Sequence, residues 1–258
     1  MKRPGHVGRI LSAAALPAGL LVVWKAATLV FRLPTTFLPP PEAVASRFIS
    51  LIGSSVIQKH FSTTAVEIIF GFLCAAVLGV LAGYILAKFA VLEKVLSPFI
   101  LIFQTAPKIS LAPLFVLWFG LGLSSKVVLI ALVAFFPIML NFMVGVRSIN
   151  PDYLRLMKIL KAPLLKRVVK IEFVGSLPFL MTGMRTALVL SVTAAIIGEM
   201  MGAKSGLGFL LMNGYEMYDI PMVIGVILAI SFFSWALDTA MKVLQDRLLF
   251  WHESADRM

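Results

Sequence analysis

The sequence predicts an all-α membrane protein with six transmembrane helices and both termini in the cytoplasm. Three observations predict it: 60% of the 258 residues are hydrophobic and only 14% charged, apolar runs recur at bilayer-spanning length, and Lys and Arg gather on one side of those runs. A soluble fold of this size needs a charged shell over one core, and a disordered chain has low hydrophobicity; a mean hydropathy of +0.99 fits neither. A helix needs about 20 apolar residues to cross the hydrocarbon, where each backbone polar group must be satisfied inside the helix. Runs of that kind cover residues 10–31, 62–87, 95–121, 126–146, 177–201 and 221–243, which makes 1–258 a single transmembrane domain.

The first run follows Lys2, Arg3 and Arg9 and contains small residues at Ala13 to Ala15, the pattern of a secretory signal peptide. It continues well beyond those small residues and five more spans follow, so an uncleaved first helix is the reading adopted. In the second run Gly71, Gly79 and Gly83 lie along one helix with Ala75 and Ala76 between them, a pattern that lets helix backbones approach closely. The third is interrupted by Pro107, Lys108 and Pro113. Proline removes a backbone donor and disfavours helix at the residue before it, so this span is expected to be broken.

Orientation follows from the basic residues. One face carries Lys2, Arg3, Arg9, Lys88, Lys94, the group from Arg147 to Lys170, Lys242, Arg247 and Arg257. The opposite face carries only Lys25, Arg32, Arg47, Lys59, Lys126 and Lys204. The richer face belongs in the cytoplasm, so the net charge of +11 reads mostly as topology. A polybasic lipid or nucleic-acid site is the competing reading of Arg155 to Lys170, and no nucleic-acid partner is expected.

Two segments between spans are long enough to hold structure. On the outer side, Pro39-Pro40-Pro41 excludes helix locally, and Val44, Phe48, Ile49 and Ile52 then recur at helical spacing, as in a helix lying in the interface. On the cytoplasmic side, Asn150-Pro151-Asp152 is a helix start. Tyr153, Leu154, Met157, Leu160, Leu164, Leu165 and Val168 follow at helical spacing among Arg155, Lys158, Lys161, Lys166, Arg167 and Lys170. Two short amphipathic helices broken at Ala162-Pro163 fit this segment, which lies flat on membrane lipid or docks into a partner's groove.

The chemistry-bearing residues exclude more than they suggest. His6, His60 and His252 lie near three different segment ends, Cys74 is the single cysteine, and no phosphate-binding glycine loop exists. No metal site, no catalytic residues and no ATP hydrolysis within this chain are therefore expected. Ionisable groups within spans are costly and are functional candidates by default. Lys108, beside Gln104 in the broken span, lines a solute path or satisfies the freed carbonyls; Arg185 snorkels or lines the path; Glu67 and Glu199 sit at the outer rim or on the path. Asp238 either reaches water or has an interior partner that the sequence does not name.

From Pro39 to about Trp251 the sequence resembles the integral-membrane permease subunits of bacterial ABC importers, in the subgroup handling nitrate, sulfonates, taurine and thiamine-precursor pyrimidines. The resemblance rests on Gln104-Thr-Ala-Pro-Lys-Ile-Ser-Leu-Ala-Pro through Trp118-Phe-Gly, on Phe136-Pro137, Asn141 and Gly145-Val146, on Ser176-Leu-Pro through Arg185, and on Gly198-Glu199 with Lys204-Ser-Gly-Leu-Gly208. The family's cytoplasmic coupling loop carries Glu-Ala-Ala, then a Gly, then Ile with Leu-Pro. Aligned on Ile171, this chain has Arg155, Leu156 and Met157 at the Glu-Ala-Ala positions, Lys161 at the Gly and Val174 at the Pro.

The resemblance implies a permease of the inner membrane working by alternating access, paired with a second permease subunit, most simply a copy of itself. It implies a cytoplasmic ATPase, which binds ATP and Mg, docked on Tyr153, Leu154, Arg155, Met157, Lys158, Leu160, Lys161 and Leu164, and an external solute-binding protein on the outer loops. The candidate solute path is Lys108, Gln104, Glu199 and Arg185. The solute is a nitrate-, sulfonate- or taurine-like anion or a heterocyclic vitamin precursor. An ion-driven carrier, which should show inverted repeats and paired broken helices, and a structural membrane subunit are the alternatives.

Overall fold

The computed structural model describes residues 6–32 and 34–250, with side chains from residue 15 onward. Lys2, Arg3, Arg257 and His252, with the side chains of His6 and Arg9, lie outside the described residues, as do both termini.

Among the described residues the chain is helical without strands. The helices are α1 (His6–Val30), α2 (Pro41–Ile52), α3 (Ser55–Lys88), α4 (Ala90–Thr105), α5 (Ala112–Phe119), α6 (Leu123–Arg147), α7 (Pro151–Ile159), α8 (Leu164–Arg167), α9 (Val174–Met200), α10 (Leu207–Glu216) and α11 (Ile220–Leu248). Four rods among the described residues are long and apolar enough to cross a membrane: α3, α6, the continuous helix Leu164–Met200 and α11. The pair α4 and Lys108–Phe119 makes a fifth if counted as one bent span. The described apolar part of α1 is Ala15–Val30.

Contacts divide the chain into two compact units, Met1–Lys59 with Leu210–Ile230, and His60–Phe209 with Ser231–Met258. In the first, Pro40 and Pro41 start α2, because a first-turn proline has no intrahelical bond to lose. The Trp24 indole donates to the Pro39 carbonyl at 3.0 Å. Lys25 pairs with Glu42, and that hydrogen bond holds the Glu42 carboxyl below the usual carboxylate range. Arg47 donates to Asp219 Oδ2 from Nη2 at 2.6 Å and from Nε at 3.0 Å.

In the second unit α6 is the central element, with Leu129, Ile130, Ala134, Ile138, Met139 and Phe142 all buried. Lipid is as apolar as these side chains, so close packing supplies the association. The glycines permit it. A Cβ on Gly83 would lie 2.5 Å from the Met139 carbonyl oxygen, and one on Gly71 the same distance from Ile130 Cβ. Gly183 of α9 likewise faces Asn141 and the Pro137 carbonyl of α6, each 2.8 Å from an ideal Cβ.

The 147–176 segment differs from its expected form. Its first helix begins as the sequence reads, with the Asn150 side chain accepting from the Asp152 amide at 2.9 Å. The second is no separate helix. α8 passes through a π-helical turn, Val168–Phe173, directly into α9. Pro178 lies inside that rod without ending it.

Candidate functional site

The break in the third expected span builds a concave site around a lysine. Pro107 forces Ala106 into extended backbone, φ −57° and ψ 141°, and ends α4. A 3-10 turn, Lys108–Leu111, restarts the chain, and the two arms meet at 78°. The last carbonyls of α4 then lack helical partners, and the Lys108 ammonium donates to the Gln104 carbonyl at 2.7 Å. The same ammonium lies 5.1 Å from the centroid of the Phe136 ring, which offers its negative face. Lys108 is half-buried, and it opens on a cavity of 430 Å³ walled by Gln104, Pro107, Val133, Phe136, Pro137 and Leu190.

Gln104 and Lys108 are thus brought together, and the other two candidates on the path are held elsewhere. Arg185 forms a two-point pair with Asp238, the partner that the sequence leaves unnamed. Glu199 is 1% exposed. Its Oε1 accepts from Thr64 Oγ1 at 2.6 Å and its Oε2 from the Gly208 amide at 2.6 Å. The Leu207 amide donates to Thr64 Oγ1 at 2.9 Å and the Gly206 amide to His60 Nδ1 at 3.0 Å. Side chains of α3 and α9 therefore cap the start of α10. Gly206 has φ +116°, and a Cβ there would strike the Glu199 carboxyl, so glycine is required on both counts.

Glu67 lies beside Glu199, with Lys126 near both. Lys126, expected on the outer face at the start of the fourth run, is 2% exposed because its ammonium turns back to the Leu121 and Gly122 carbonyls. Glu67 and Lys126 also border a second cavity, of 590 Å³, with Lys204 on its rim.

In the 147–176 segment the apolar side chains face two ways. Tyr153, Leu160 and Leu164 stand exposed, whereas Leu154 and Met157 are half-buried; Leu156 and Ile159 join the exposed face. Arg155, Lys158 and Lys161 are exposed beside it. Lys161 has φ +50°, a left-handed conformation that favours glycine, and it is the residue aligned with the Gly of the resembled pattern.

Sequence reasoning missed Glu172, which is 1% exposed in the π-helical turn. It pairs with Lys88 Nζ at 2.7 Å, accepts from the Tyr84 hydroxyl at 2.7 Å and lies 3.9 Å from Arg167 Nε. Its signal was present: it is the single acid between Asp152 and Glu199, in the most basic part of the chain.

Residues 75–250 match the family described as the binding-protein-dependent transport system inner membrane component. The chain is 33% identical over 235 residues to the riboflavin transport system permease protein RibX of Chloroflexus aurantiacus, covering 91% of this chain and 88% of that one. It is 32% identical over 234 residues to the formylaminopyrimidine transport permease protein ThiX of Halalkalibacterium halodurans, covering 91% and 93%. The taurine transport system permease protein TauC of Escherichia coli is 28% identical over 247 residues, with 94% and 90% covered. The fold is similar to one chain of the MetNI methionine ABC transporter in an inward-facing structure, with a TM-score of 0.65 at 19% identity, covering 74% of this chain and 95% of that one. A broken span beside a closely packed all-helical core, matched over most of its length to transport permeases, has one reading: this chain belongs to the family of binding-protein-dependent transport system inner membrane components, the multi-pass permease subunits of ABC importers.

Proposed function

We propose that this permease moves a small anion through a path lined by Lys108 and Gln104, with two copies of the chain enclosing that path. The carrying observation is the half-buried Lys108 ammonium opening on the cavity at the break in the span. A lysine has three donors, and two of the surrounding groups, the Gln104 carbonyl and the Phe136 face, leave the ammonium able to receive a further acceptor. Glu199 and Arg185 act beside the path by fixing the helices that frame it. A heterocyclic solute is the second reading, favoured by the Phe136 and Pro107 walls and by the names of RibX and ThiX.

The 147–176 segment faces the cytoplasm in this proposal, and its exposed face docks an ATPase that binds ATP and Mg. Tyr153 at 58%, Leu156 at 52%, Ile159 at 77% and Leu160 at 65% exposure form an apolar strip that a helix-binding groove fits. An external solute-binding protein delivers to the opposite side. ATP drives transport through its different affinity for the two arrangements of the ATPase. The test is co-purification of the ATPase with the permease carrying Leu156→Asp and Ile159→Asp. Loss of the ATPase from an otherwise monodisperse permease is expected; full retention, with unchanged ATP hydrolysis, overturns the docking assignment.

A further inference from the structure

We propose that Glu172 is the positioning residue that ties the 147–176 segment to the junction of α3 and α4, so that movement of the docked segment reaches the broken span. The proposal rests on the docking reading above and adds the route by which the segment acts.

The segment is covalently continuous with α6 at one flank and with α9 at the other. Neither α3 nor α4 has a backbone connection to it, yet both are held by its flanks. At the α6 flank, the Arg147 guanidinium donates from Nη2 to the Leu86 carbonyl at 2.8 Å and pairs through Nη1 with Glu93 at 3.0 Å. At the other flank, Glu172 takes Lys88 on one oxygen and the Tyr84 hydroxyl on the other. The end of α3 is therefore gripped from both ends of the segment, by Arg147 at Leu86 and by Glu172 at Tyr84 and Lys88, and the first turn of α4 is held by Arg147 at Glu93. α4 ends at Thr105, two residues before Pro107. A displacement at the end of α3 crosses the single residue Phe89 into α4, whose last turn holds Gln104, and the Lys108 ammonium bonds the Gln104 carbonyl.

Burial is what makes Glu172 the stiff point of this grip. Its side chain is 2% exposed, against 35% for Arg147, so water does not compete for its bonds. A carboxylate in that position is retained only with close partners, and here Lys88 and Tyr84 supply charge-assisted bonds, with Arg167 near them. Lys88 is fixed further by the Tyr84 ring, 5.3 Å from its ammonium. The π-helical turn widens the backbone where Glu172 leaves it, a distortion common at functional positions in helices.

The experiment uses the assembled transporter, permease with ATPase and binding protein, reconstituted in proteoliposomes. Complex formation, ATP hydrolysis and uptake of labelled nitrate, taurine or riboflavin, whichever the unaltered transporter accumulates, are measured on the same preparation. With Glu172→Leu the ATPase is expected to remain bound and to hydrolyse ATP, while uptake per ATP falls about tenfold, a loss in the usual range for coupling between sites. Glu172→Gln, which keeps the acceptor for Tyr84, is expected to lie between the two and serves where the leucine variant does not fold. The exchange Glu172→Lys with Lys88→Glu is expected to restore part of the ratio, which a packing role alone does not predict. Unchanged uptake per ATP in an intact Glu172→Leu or Glu172→Gln complex overturns the assignment of Glu172. Failure of the unaltered permease to retain the ATPase overturns the docking reading instead, and with it the route proposed here.

Discussion

The guanidinium of Arg185 on α9 holds the carboxylate of Asp238 on α11 through two bonds, Nε to Oδ1 at 3.0 Å and Nη2 to Oδ2 at 2.9 Å. Each residue alone is an expensive charge within an apolar helix, and together they become a fixed joint between two helices. Both side chains are about a third exposed, 31% and 35%, so the joint is worth a modest amount. Interhelical polar contacts in membrane proteins contribute about 0.6 kcal/mol on average. Arg185→Gln and Asp238→Asn are each expected to lower thermal stability in detergent by about that amount, and the double variant by less than the sum. Additive losses would show that the two residues act separately.

The path assignment makes a sharper demand on Lys108. Replacement by Met removes the charge facing the cavity and is expected to cut uptake per folded permease by about tenfold or more, the loss of one charge-assisted contact. Lys108→Arg keeps part of the uptake. Uptake normalised to monodisperse permease is the measurement. A lysine that only satisfies the Gln104 carbonyl predicts less folded protein with unchanged normalised uptake.

Close approach of α3 and α6 leads to a packing prediction. A Cβ on Gly83 meets the backbone oxygen of Met139, which no side-chain rotation relieves. Gly83→Ala is expected to cost about 1 to 3 kcal/mol, the usual range for overpacking a filled interface. At Gly53 the nearest atom to such a Cβ is 3.5 Å away, an ordinary contact. Gly53→Ala should therefore leave the thermal midpoint close to that of the unaltered permease, and equal losses at both sites would contradict the geometry.

The turn after α7 predicts a gain. A residue with a Cβ at φ +50° costs about 1 to 2 kcal/mol in the left-handed region. Glycine recovers much of this and gives up some to the unfolded chain. Lys161→Gly is expected to stabilise the end of α7 by about 0.5 to 1 kcal/mol. Slower amide exchange from Leu156 to Ala162 is the readout, and faster exchange would refute it.

ABC-importer membership displaces the ion-driven carrier and the structural subunit as readings of this chain. The resemblance was legible in short motifs because those motifs sit where geometry is tight. Gly145 meets Phe179 and Ser176, Asn141 bonds the Pro137 carbonyl at 2.8 Å, and Glu199 caps Gly208. In each case a residue type is fixed by a neighbour within hydrogen-bond or van der Waals reach.

The sequence by itself determined what depends on the chain's immediate neighbours. The apolar runs mark the helices because lipid satisfies no backbone group, Pro107 breaks one of them because it removes a donor, and Asn150 starts α7 because its side chain caps the next turn. Only the tertiary structure decided which distant polar and charged groups meet. Glu172 and Tyr84 are 88 residues apart, and Arg185 and Asp238 are 53 apart. Hydropathy gives each helix its length but says little about its rotation or neighbours, since a lipid-facing surface and a packed one are equally apolar. Between α3 and α6 that rotation is set by the fit of Gly71, Gly79 and Gly83 against Ile130, Ile138 and Met139, a match of surfaces that exists only once the two helices meet.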